Sequence, residues 1–391
     1  MPVMPENNPA SHGPLAGIRI IEFAGVGPGP FCAMLLADMG AEVITIDRVT
    51  PHGLGLPKAP RFNPTLRSRK SLRIDLKSEQ GPATALRLIA KSDALLEGNR
   101  PGVMERLGLG PAECLAANPA LVYGRMTGWG QDGPMAQEVG HDVNYLALSG
   151  VLSLLGPRDR PPSIPLNLLA DLGGGGVYLA LGMLAALLET RSSGKGQTVD
   201  ASMIDGIGSL MTHQFGYFGA GTWSEKREDN FLDGGAPWYN TYETADGNFV
   251  AIGAIEPKFY DVLLEGMGLD QSDVPDQMDR ASWPGLKQRF AEIFRSRSRA
   301  EWEEIMEGKA ACFAPVLRPQ EAVLHPHMQA RGSFVEVQGV TQPAPAPRFS
   351  RTPAMVRSAP PEPGQHSRIV LEDWGFSPQE IDALASSGTI A

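Results

Sequence analysis

The first fifty residues alternate strand, helix and strand, and this alternation constrains the fold of the chain more than any other feature. Residues 18–23 are rich in β-branched side chains and end in a Gly/Pro turn. A helix is predicted over residues 31–39, closed by Gly40, and a second strand over residues 43–46. A strand–helix–strand unit of this length predicts a parallel sheet and an α/β fold.

The same alternation continues with a helix over residues 81–91 and strands over 94–97 and 121–126. Farther along, strand patterns at 239–244 and 249–252 flank a short Asp-Gly turn and predict a hairpin. Helices are predicted near 257–267, 298–307 and 372–386. We therefore expect a large Rossmann-like domain with a parallel sheet over residues 1–229, rejoined by 326–391, and a smaller α/β domain over 230–325.

The charge balance excludes some partners. The chain of 391 residues carries 34 Lys and Arg against 44 Asp and Glu, a formal net charge of −10. Nonspecific binding to nucleic acid or to an anionic membrane is not expected of such a protein. Its three cysteines form no CxxC pair, and residues 1–17 lack the pattern of a signal peptide. These features predict a cytoplasmic protein without disulfides.

A long apolar stretch over residues 168–188 has the length of a membrane span. It contains Asp171 near its start and four consecutive glycines, Gly173 to Gly176. The continuous apolar part is then about residues 177–188, the length of a buried core helix. We interpret it as such a helix and expect no membrane contact.

The glycine turn after the first strand is similar to a dinucleotide-binding fingerprint. Gly25 and Gly27 are followed by Pro30 where the third glycine of the fingerprint is required, and Asp47 ends the next strand. Proline at that position removes an N–H and the close helix–strand contact. A nicotinamide cofactor is therefore not expected, and the turn is interpreted as structural, near another ligand.

A cationic cluster stands out in this acidic chain. Two interpretations stay open: a solvated face, which is the usual role of a charge run, or a phosphate site formed with cations at neighbouring strand ends. The five cations within the run are Arg67, Arg69, Lys70, Arg73 and Lys77, and those expected to join them are Arg48, Arg100 and Arg106.

Two ionisable residues are candidates for chemistry. His141 follows a Gly/Pro loop, and a single histidine is most often structural. Asp171 precedes the glycine run, and Asn167 lies four residues before it, on the same face of a helix. A carboxylate in so apolar a stretch must cap a helix, pair with another group or take part in function. Free N–H groups beside it could bind an oxyanion that develops during a reaction. No third ligand accompanies His325 and His327, so no metal site is predicted.

The motifs taken together carry a resemblance. The chain resembles α-methylacyl-CoA racemases, within the class III CoA-transferase (formyl-CoA transferase-like) superfamily, from about Gly13 to Arg351. The matching motifs are Gly27-Pro28-Gly29-Pro30, Asp47-Arg48, Arg100-Pro101-Gly102-Val103, Gly128-Trp129-Gly130-Gln131, Gly140-His141-Asp142-Val143-Asn144-Tyr145, Pro165-Leu166-Asn167-Leu168, Asp171, Ser193-Gly194-Lys195-Gly196-Gln197, Asp233-Gly234-Gly235-Ala236-Pro237 and Gly253-Ala254-Ile255-Glu256-Pro257.

The resemblance implies an interlocked homodimer that binds an acyl-CoA thioester, with each active site at the subunit interface and no cofactor or metal. It implies that His141 and Asp171 are the catalytic bases, supported by Glu256 and Asn167 respectively. It also implies a substrate- and CoA-binding set made of Arg48, Ile74, Asp75, Leu76, Lys77, Gly98, Arg100, Arg106, Gly140, Asp142, Asn144, Tyr145 and Tyr239.

Some segments depart from the resemblance. Phe313-Ala314 stands where Val-Thr is expected, and Trp238 where a smaller aromatic residue is usual. These departures affect the expected shape of the acyl pocket. The last three residues, Thr389-Ile390-Ala391, are not a peroxisomal signal.

The implied reaction is inversion of the carbon α to a thioester carbonyl by two opposed bases. One alternative is CoA transfer, in which Asp171 acts as a covalent nucleophile; such an enzyme needs no base opposite the aspartate. Another is a noncatalytic acyl-CoA carrier, which would explain the cations but not a paired His and Asp.

Overall fold

The computed structural model describes residues 12–50, 53 and 58–391, and the chain divides into two compact units. The first contains the described residues up to Ser149, together with Leu166–Leu210 and Ala330–Ala391. The second contains Gly150–Pro165 and Met211–Gln329. The second unit thus takes in three stretches, 150–165, 211–229 and 326–329, that the expected boundaries of 230 and 325 left in the large domain.

A six-stranded parallel sheet forms the centre of the first unit. Its strands lie in the order β3-β2-β1-β4-β5-β6, which is the strand order of Rossmann folds. They are β1 (Arg19–Phe23), β2 (Glu42–Asp47), β3 (Lys70–Arg73), β4 (Ala94–Glu97), β5 (Val122–Thr127) and β6 (Gln197–Ser202). The parallel sheet and α/β class expected from the sequence are confirmed.

Helices cover this sheet. The same unit also contains a separate hairpin in the C-terminal part of the chain. The helices are α1 (Pro28–Asp38), α2 (Gly81–Ile89), α3 (Val103–Arg106), α4 (Pro111–Ala117), α5 (Asp142–Leu148), α6 (Tyr178–Ser193) and α7 (Met203–Leu210). Helix α6 packs on β5 because Gly124 leaves room for it: a Cβ atom there would lie 3.0 Å from Leu179 Cδ1 and from Met183 Sδ.

The second unit has its own sheet and core. Helix α8 (Thr212–Gly219) precedes the antiparallel strands β7 (Tyr239–Glu243), β8 (Phe249–Gly253) and β9 (Phe313–Pro315). Trp238, Phe290 and Trp302 are fully buried in this core. The predicted hairpin is confirmed as β7–β8. The remaining helices are α9 (Pro257–Gly266), α10 (Trp283–Phe294), α11 (Arg299–Met306), α12 (Pro319–Leu324) and α13 (Pro326–Ala330).

The C-terminal part of the chain returns to the first unit through the hairpin β10 (Phe334–Val337) and β11 (Val340–Pro343). The single helix predicted over 372–386 is wrong. Two helices occur instead, α14 (Ser367–Asp373) and α15 (Pro378–Ser386). Gly375, whose φ of 85° is left-handed, and Pro378 separate them, because neither continues a helix.

The apolar stretch forms one helical run, Leu168–Ser193, and its first part, Leu168–Val177, is a π-helix. By length and composition the run could cross a membrane, and 39% of its most apolar window is buried within the chain. Gly174 and Gly176 explain the close packing of the π-helix. A Cβ atom on Gly176 would lie 2.9 Å from Pro28 O of α1, and one on Gly174 2.9 Å from Ile207 N of α7.

Two of the five cations in the run, Arg67 and Arg69, are internal. Arg67 and Asp38, each 3% exposed at the side chain, form an ion pair of 2.6 Å. Arg69 pairs with the fully buried Glu22. Lys70 binds Glu42 at 3.1 Å and Asp373 at 3.2 Å. For Arg67 and Arg69 neither open interpretation was correct, because acidic residues of other elements neutralise them inside the fold. Lys70 is paired in the same way but lies at the surface, with 35% of its side chain exposed.

We expect Arg67→Met to lower the free energy of unfolding by about 3–5 kcal/mol, because it leaves the buried Asp38 carboxylate without a counter-ion. The double variant Arg67→Met, Asp38→Leu should recover much of that loss. Asp373→Ala, which removes the 48% exposed partner of Lys70, serves as a control and should cost less than about 1 kcal/mol. Urea unfolding followed by circular dichroism measures all three. Equal losses for Arg67→Met and Asp373→Ala would contradict the assignment.

Candidate active site

The parallel sheet has one obvious place for a ligand. In the order β3-β2-β1-β4-β5-β6 the chain adds β2 and β3 on one side of β1 and then returns to add β4, β5 and β6 on the other side. The strand order therefore reverses between β1 and β4. Ligands of open α/β sheets bind outside the carboxyl ends of the strands at this point, because the loops diverge there. The loop after β1 leads through Gly27 into α1, and the loop after β4 begins at Gly98.

Asp171 lies beside the first of these loops. A Cβ atom on Gly27 would lie only 3.3 Å from Asp171 Oδ2. Gly27 has a φ of 71° and is the residue before α1, so glycine there satisfies both the backbone conformation and the close approach. Asn167 Nδ2 donates a hydrogen bond of 3.2 Å to the same carboxylate oxygen. The expected pairing of Asn167 with Asp171 is present in the structure.

His141 is the exposed residue that precedes α5. Its backbone N–H donates to Asn144 Oδ1 at 3.0 Å, and its carbonyl accepts from the Asn144 N–H at 2.8 Å. This reciprocal cap fixes the backbone of His141 and leaves its ring outside the helix. The side chain of Asn144, predicted to bind substrate, is used within the protein as this cap.

Asp142 and Tyr145, two other predicted substrate contacts, also have internal partners. Asp142 is buried, and its Oδ2 accepts the N–H groups of Ala170 at 3.0 Å and Asp171 at 2.8 Å. Tyr145 is buried edge-on against Trp129, and its hydroxyl donates to Gly140 O at 2.6 Å. These internal contacts hold the loop and the helix that carry His141 and Asp171. That Asp142 and Tyr145 also belong to the substrate-binding set stays a prediction.

The electrostatic environment of Asp171 favours its neutral form. Burial raises the pKa of its carboxyl above the usual aspartate range, and the charge of Asp142 raises it further. The Asn167 hydrogen bond and the charge of His141 act in the opposite direction and lower this pKa. Asp142, which directly follows His141, accepts the Asp171 N–H at 2.8 Å. This contact brings His141 and Asp171 into one site.

The sequence suggested that the glycine run leaves free N–H donors beside Asp171, but the structure differs at the two nearest positions. The N–H groups of Ala170 and Asp171 are both occupied by Asp142. The glycines themselves allow the π-helix to pack tightly on α1 and α7. The N–H groups of Ala170 and Asp171 are therefore not free to bind an oxyanion, and a site formed by other N–H groups near Asp171 stays a prediction.

Four cations stay available at the carboxyl edge of the sheet. Arg48 follows β2, Lys77 follows β3 by four residues, and Arg100 follows β4, with Arg106 at the end of α3. All four are exposed, and within residues 12–50, 53 and 58–391 none of them forms an ion pair. Gly98 opens the same loop as Arg100 and is exposed as well.

The segment after β3 is partly used by the core. Ile74 is 1% exposed and bridges Ile390 through its backbone, so its side chain belongs to the core, and its predicted place around CoA stays a prediction that only its backbone could fulfil. Leu76 is half-buried against the same core. Asp75 donates its N–H to Thr389 O at 2.8 Å and accepts the Lys77 N–H at 2.9 Å.

Glu256 and Tyr239 belong to the second unit. Glu256 is the exposed residue before α9, and Tyr239 is the half-buried first residue of β7. Tyr239 lies beside Gly253, where a Cβ atom would be 3.7 Å from its ring. Across the described part of the chain, no three His, Cys, Asp or Glu residues cluster in a way that suits a metal ion.

Asn167→Ala should raise the pKa of Asp171 further, because it removes the hydrogen bond that stabilises the carboxylate. Asn118→Ala is the control, since its amide donates to Ser92 O before β4, at the opposite edge of the sheet. A ¹³C NMR titration of labelled aspartate carboxyl groups, with Asp171→Asn used for assignment, measures the change. An unchanged or lowered Asp171 pKa in Asn167→Ala would show that the hydrogen bond does not act on the charged form.

Comparison with known proteins places the chain in a family. The family model described as CoA-transferase family III matches residues 15–367. The chain is similar to the α-methylacyl-CoA racemase of Mus musculus, with 47% identity over 95% of this chain and 96% of the relative. It is 45% identical to that of Homo sapiens over 96% and 97%. The crystal structure of a CAIB/BAIF family protein from Brucella suis matches 93% of this chain and 100% of its own, with a TM-score of 0.80 and 25% identity. The chain belongs to CoA-transferase family III.

Proposed function

We propose that the protein interconverts the (R) and (S) forms of 2-methylacyl-CoA thioesters, as an isomerase that moves a proton from one face of the α-carbon to the other. The observation that carries this proposal is the pairing of His141 with Asp171 at the starts of two adjoining helices. The full-length similarity to two proteins named α-methylacyl-CoA racemase supports it.

The reaction needs two positioned groups. One base removes the α-proton to give a planar enolate, and the protonated partner returns a proton to the opposite face. His141 and Asp171 exchange these roles with the hand of the substrate. Each contributes about 10²–10⁴ in rate. The raised pKa of Asp171 brings its acidity toward that of an imidazole, which suits a group that must both donate and accept.

The auxiliary residues support these two. Asn167 keeps the Asp171 carboxylate oriented through its 3.2 Å hydrogen bond. Glu256, in the second unit, is assigned to His141 as a partner that orients the imidazole, and Tyr239 to the acyl side. The scheme uses no metal or organic cofactor, because CoA is part of the substrate and the enolate forms by proton transfer alone.

The alternative is CoA transfer, with Asp171 attacking the thioester and forming a covalent intermediate. The family takes its name from this reaction. The histidine favours racemisation, because transfer through an acyl-aspartate does not require a general base across from it. The half-buried setting of Asp171 fits both schemes, and so it does not separate them.

CoA would bind through the free cations at the carboxyl edge of the sheet. Arg48, Lys77, Arg100 and Arg106 are exposed and unpaired in the described chain, and guanidinium groups match phosphate oxygens in charge and geometry. Gly98 and the backbone of residues 74–77 border the same edge. The acyl group extends from there toward the bases.

A homodimer with active sites at the subunit interface completes the proposal. Val177, Leu181 and Leu188 form an apolar stripe along one face of the run Leu168–Ser193, and they are 45%, 61% and 68% exposed. An exposed stripe of this kind marks a contact surface, and a second copy of the chain would cover it. We further propose a cytoplasmic location, which fits the three free cysteines, and which cell fractionation tests.

The proposed reaction predicts opposite defects in two variants. His141→Ala should stop α-hydrogen exchange from one enantiomer of a 2-methylacyl-CoA in D₂O, and Asp171→Ala from the other. Full racemisation should fail in both, since no donor remains on the second face. NMR of α-hydrogen loss in EDTA-dialysed protein measures this for each pure enantiomer. Loss from the same enantiomer in both variants would refute the opposed bases. Acyl transfer to a free acid without α-exchange would establish the transferase instead.

Arg48→Ala and Arg106→Ala should each weaken binding of free CoA by about 1.5–3 kcal/mol, because each removes a charged hydrogen bond to phosphate. The loss should shrink as salt is added. Arg19→Ala, an exposed cation at the amino end of β1, is the control. Isothermal titration calorimetry measures the three dissociation constants, and parental affinity in both test variants would place the phosphates elsewhere.

Co-expression of His141→Ala and Glu256→Ala chains tests the shared interface. If His141 of one chain works with Glu256 of the other, each mixed dimer regains one site with both residues intact. Purified mixed dimers should then recover up to half of the parental activity per dimer. Mixed dimers as inactive as either parent variant would show that each site is built from one chain.

A further inference from the structure

Asp142 joins the two helices that carry the proposed bases. It follows His141 directly and is the first residue of α5. Its Oδ2 accepts the N–H groups of Ala170 and Asp171, at 3.0 and 2.8 Å, in the π-helix that carries Asp171. The first N–H groups of a helix have no partner within it, so a side chain of one helix here caps the other.

The second oxygen of this carboxylate has no partner. Asp142 is 7% exposed, and its Oδ1 is buried without a hydrogen bond in the described structure. Two backbone N–H groups are its only donors, and no Arg, Lys or His forms an ion pair with it among the described residues. A buried charge that is compensated so little acts strongly on its neighbours.

Asp171, whose N–H the Asp142 carboxylate accepts at 2.8 Å, is an ionisable neighbour. Burial has the largest effect on the pKa of the Asp171 carboxyl and raises it, and the Asn167 hydrogen bond has the second largest and lowers it. The charge of Asp142 has the third largest effect and raises this pKa. His141 lowers that pKa, and the phenol of Tyr145 has its own pKa raised by burial and by Asp171. Asp142, His141 and Tyr145 are therefore the charged and titratable groups that face Asp171 within the first unit.

We propose that Asp142 is a positioning residue of the reaction: its carboxylate, through its hydrogen bonds to the Ala170 and Asp171 N–H groups, fixes the separation of His141 and Asp171. Its negative charge, close to Asp171, acts in addition on the ionisation of that carboxyl. This inference rests on the proposed racemisation. It adds a role for the Asp142 side chain to the place in the substrate-binding set that the resemblance implies for this residue. Asp142 is joined to His141 by one peptide bond and to the Asp171 N–H by one hydrogen bond. A change at Asp142 therefore affects the positions of both bases.

Asp142→Asn separates the charge from the anchor. The amide oxygen of asparagine still accepts both N–H groups, but the negative charge is gone. For the enantiomer from which Asp171 abstracts the proton, kcat/KM rises with pH as this carboxyl ionises. Without the like charge that rise should move to lower pH in Asp142→Asn. A group with only a structural role would change the rate and leave the position of the rise unmoved.

Asp142→Ala removes the anchor as well. Amide hydrogen exchange of residues 168–177, measured by mass spectrometry without substrate, should become faster in Asp142→Ala and stay parental in Asp142→Asn. The kcat for α-exchange in Asp142→Ala should fall by about 10²-fold, as expected for displaced reacting groups. Its Kd for free CoA should stay parental.

Asp93→Ala is the matched control. Asp93 Oδ2 accepts the Arg19 N–H at 2.7 Å, so it too is a carboxylate that binds backbone N–H in the first unit, but at the amino ends of β1 and β4. This variant should keep the parental kcat and pH profile. It should also leave the exchange of residues 168–177 unchanged.

The outcomes separate this inference from the proposed function. If the parent protein exchanges no α-hydrogen, the racemase proposal fails, while amide exchange still tests the anchor. If the parent is active and Asp142→Ala retains parental kcat, positioning is overturned. If the pH profile of Asp142→Asn coincides with that of the parent, the role of the charge is overturned. Unchanged amide exchange in Asp142→Ala overturns the anchor itself.

Discussion

The contact between the π-helix and the start of α1 is the constraint on which the site depends. Gly175 and Gly176 lie against Pro28 of α1, and Gly174 lies against Ile207 of α7, with no room for a side chain at Gly174 or Gly176. Because the two backbones meet there, Asp171 comes to the loop after β1, at the reversal point of the sheet. Larger residues in the run would move Asp171 away from Gly27 before they affected the sheet.

Buried charge organises the same unit in two ways. Arg67 and Arg69 neutralise Asp38 and Glu22, and so they bind the segment before β3 to α1 and β1. Asp142 has no such counter-ion. An ion pair in the core stabilises the fold. A carboxylate with only two backbone donors is not neutralised, and so its charge acts on the neighbouring Asp171. The contrast separates structural charges from those that bear on chemistry.

Much of the fold was predictable from local pattern. Strands β1, β2, β4 and β5 and the hairpin β7–β8 have strong periodicity and defined turns, and they were predicted within a few residues. The break between α14 and α15 was missed although Gly375 and Pro378 signal it. For the site, the choice of His141, Asn167 and Asp171 came from motifs, but the internal roles of Asp142, Tyr145 and Asn144 did not. The role of Asp142 depends on contacts with Ala170 and Asp171, 28 and 29 residues away along the chain, and that of Tyr145 on packing against Trp129, which composition and spacing do not encode. The Asn144 cap is local, and the three-residue spacing from His141 could have indicated it.

The π-helix also describes how such a site can arise in a chain. In a π-helix each backbone hydrogen bond spans one residue more than in an α-helix. Such a turn is commonly a one-residue insertion in an α-helix, retained at a functional position. Loss of one glycine from Leu168–Val177 would restore the α-helical period and turn everything before it by about 100° about the helix axis. The glycine face would still pack on α1, but the carboxylate would face elsewhere. In this fold, the length of one helical turn decides whether there is an acid at the reversal point of the sheet.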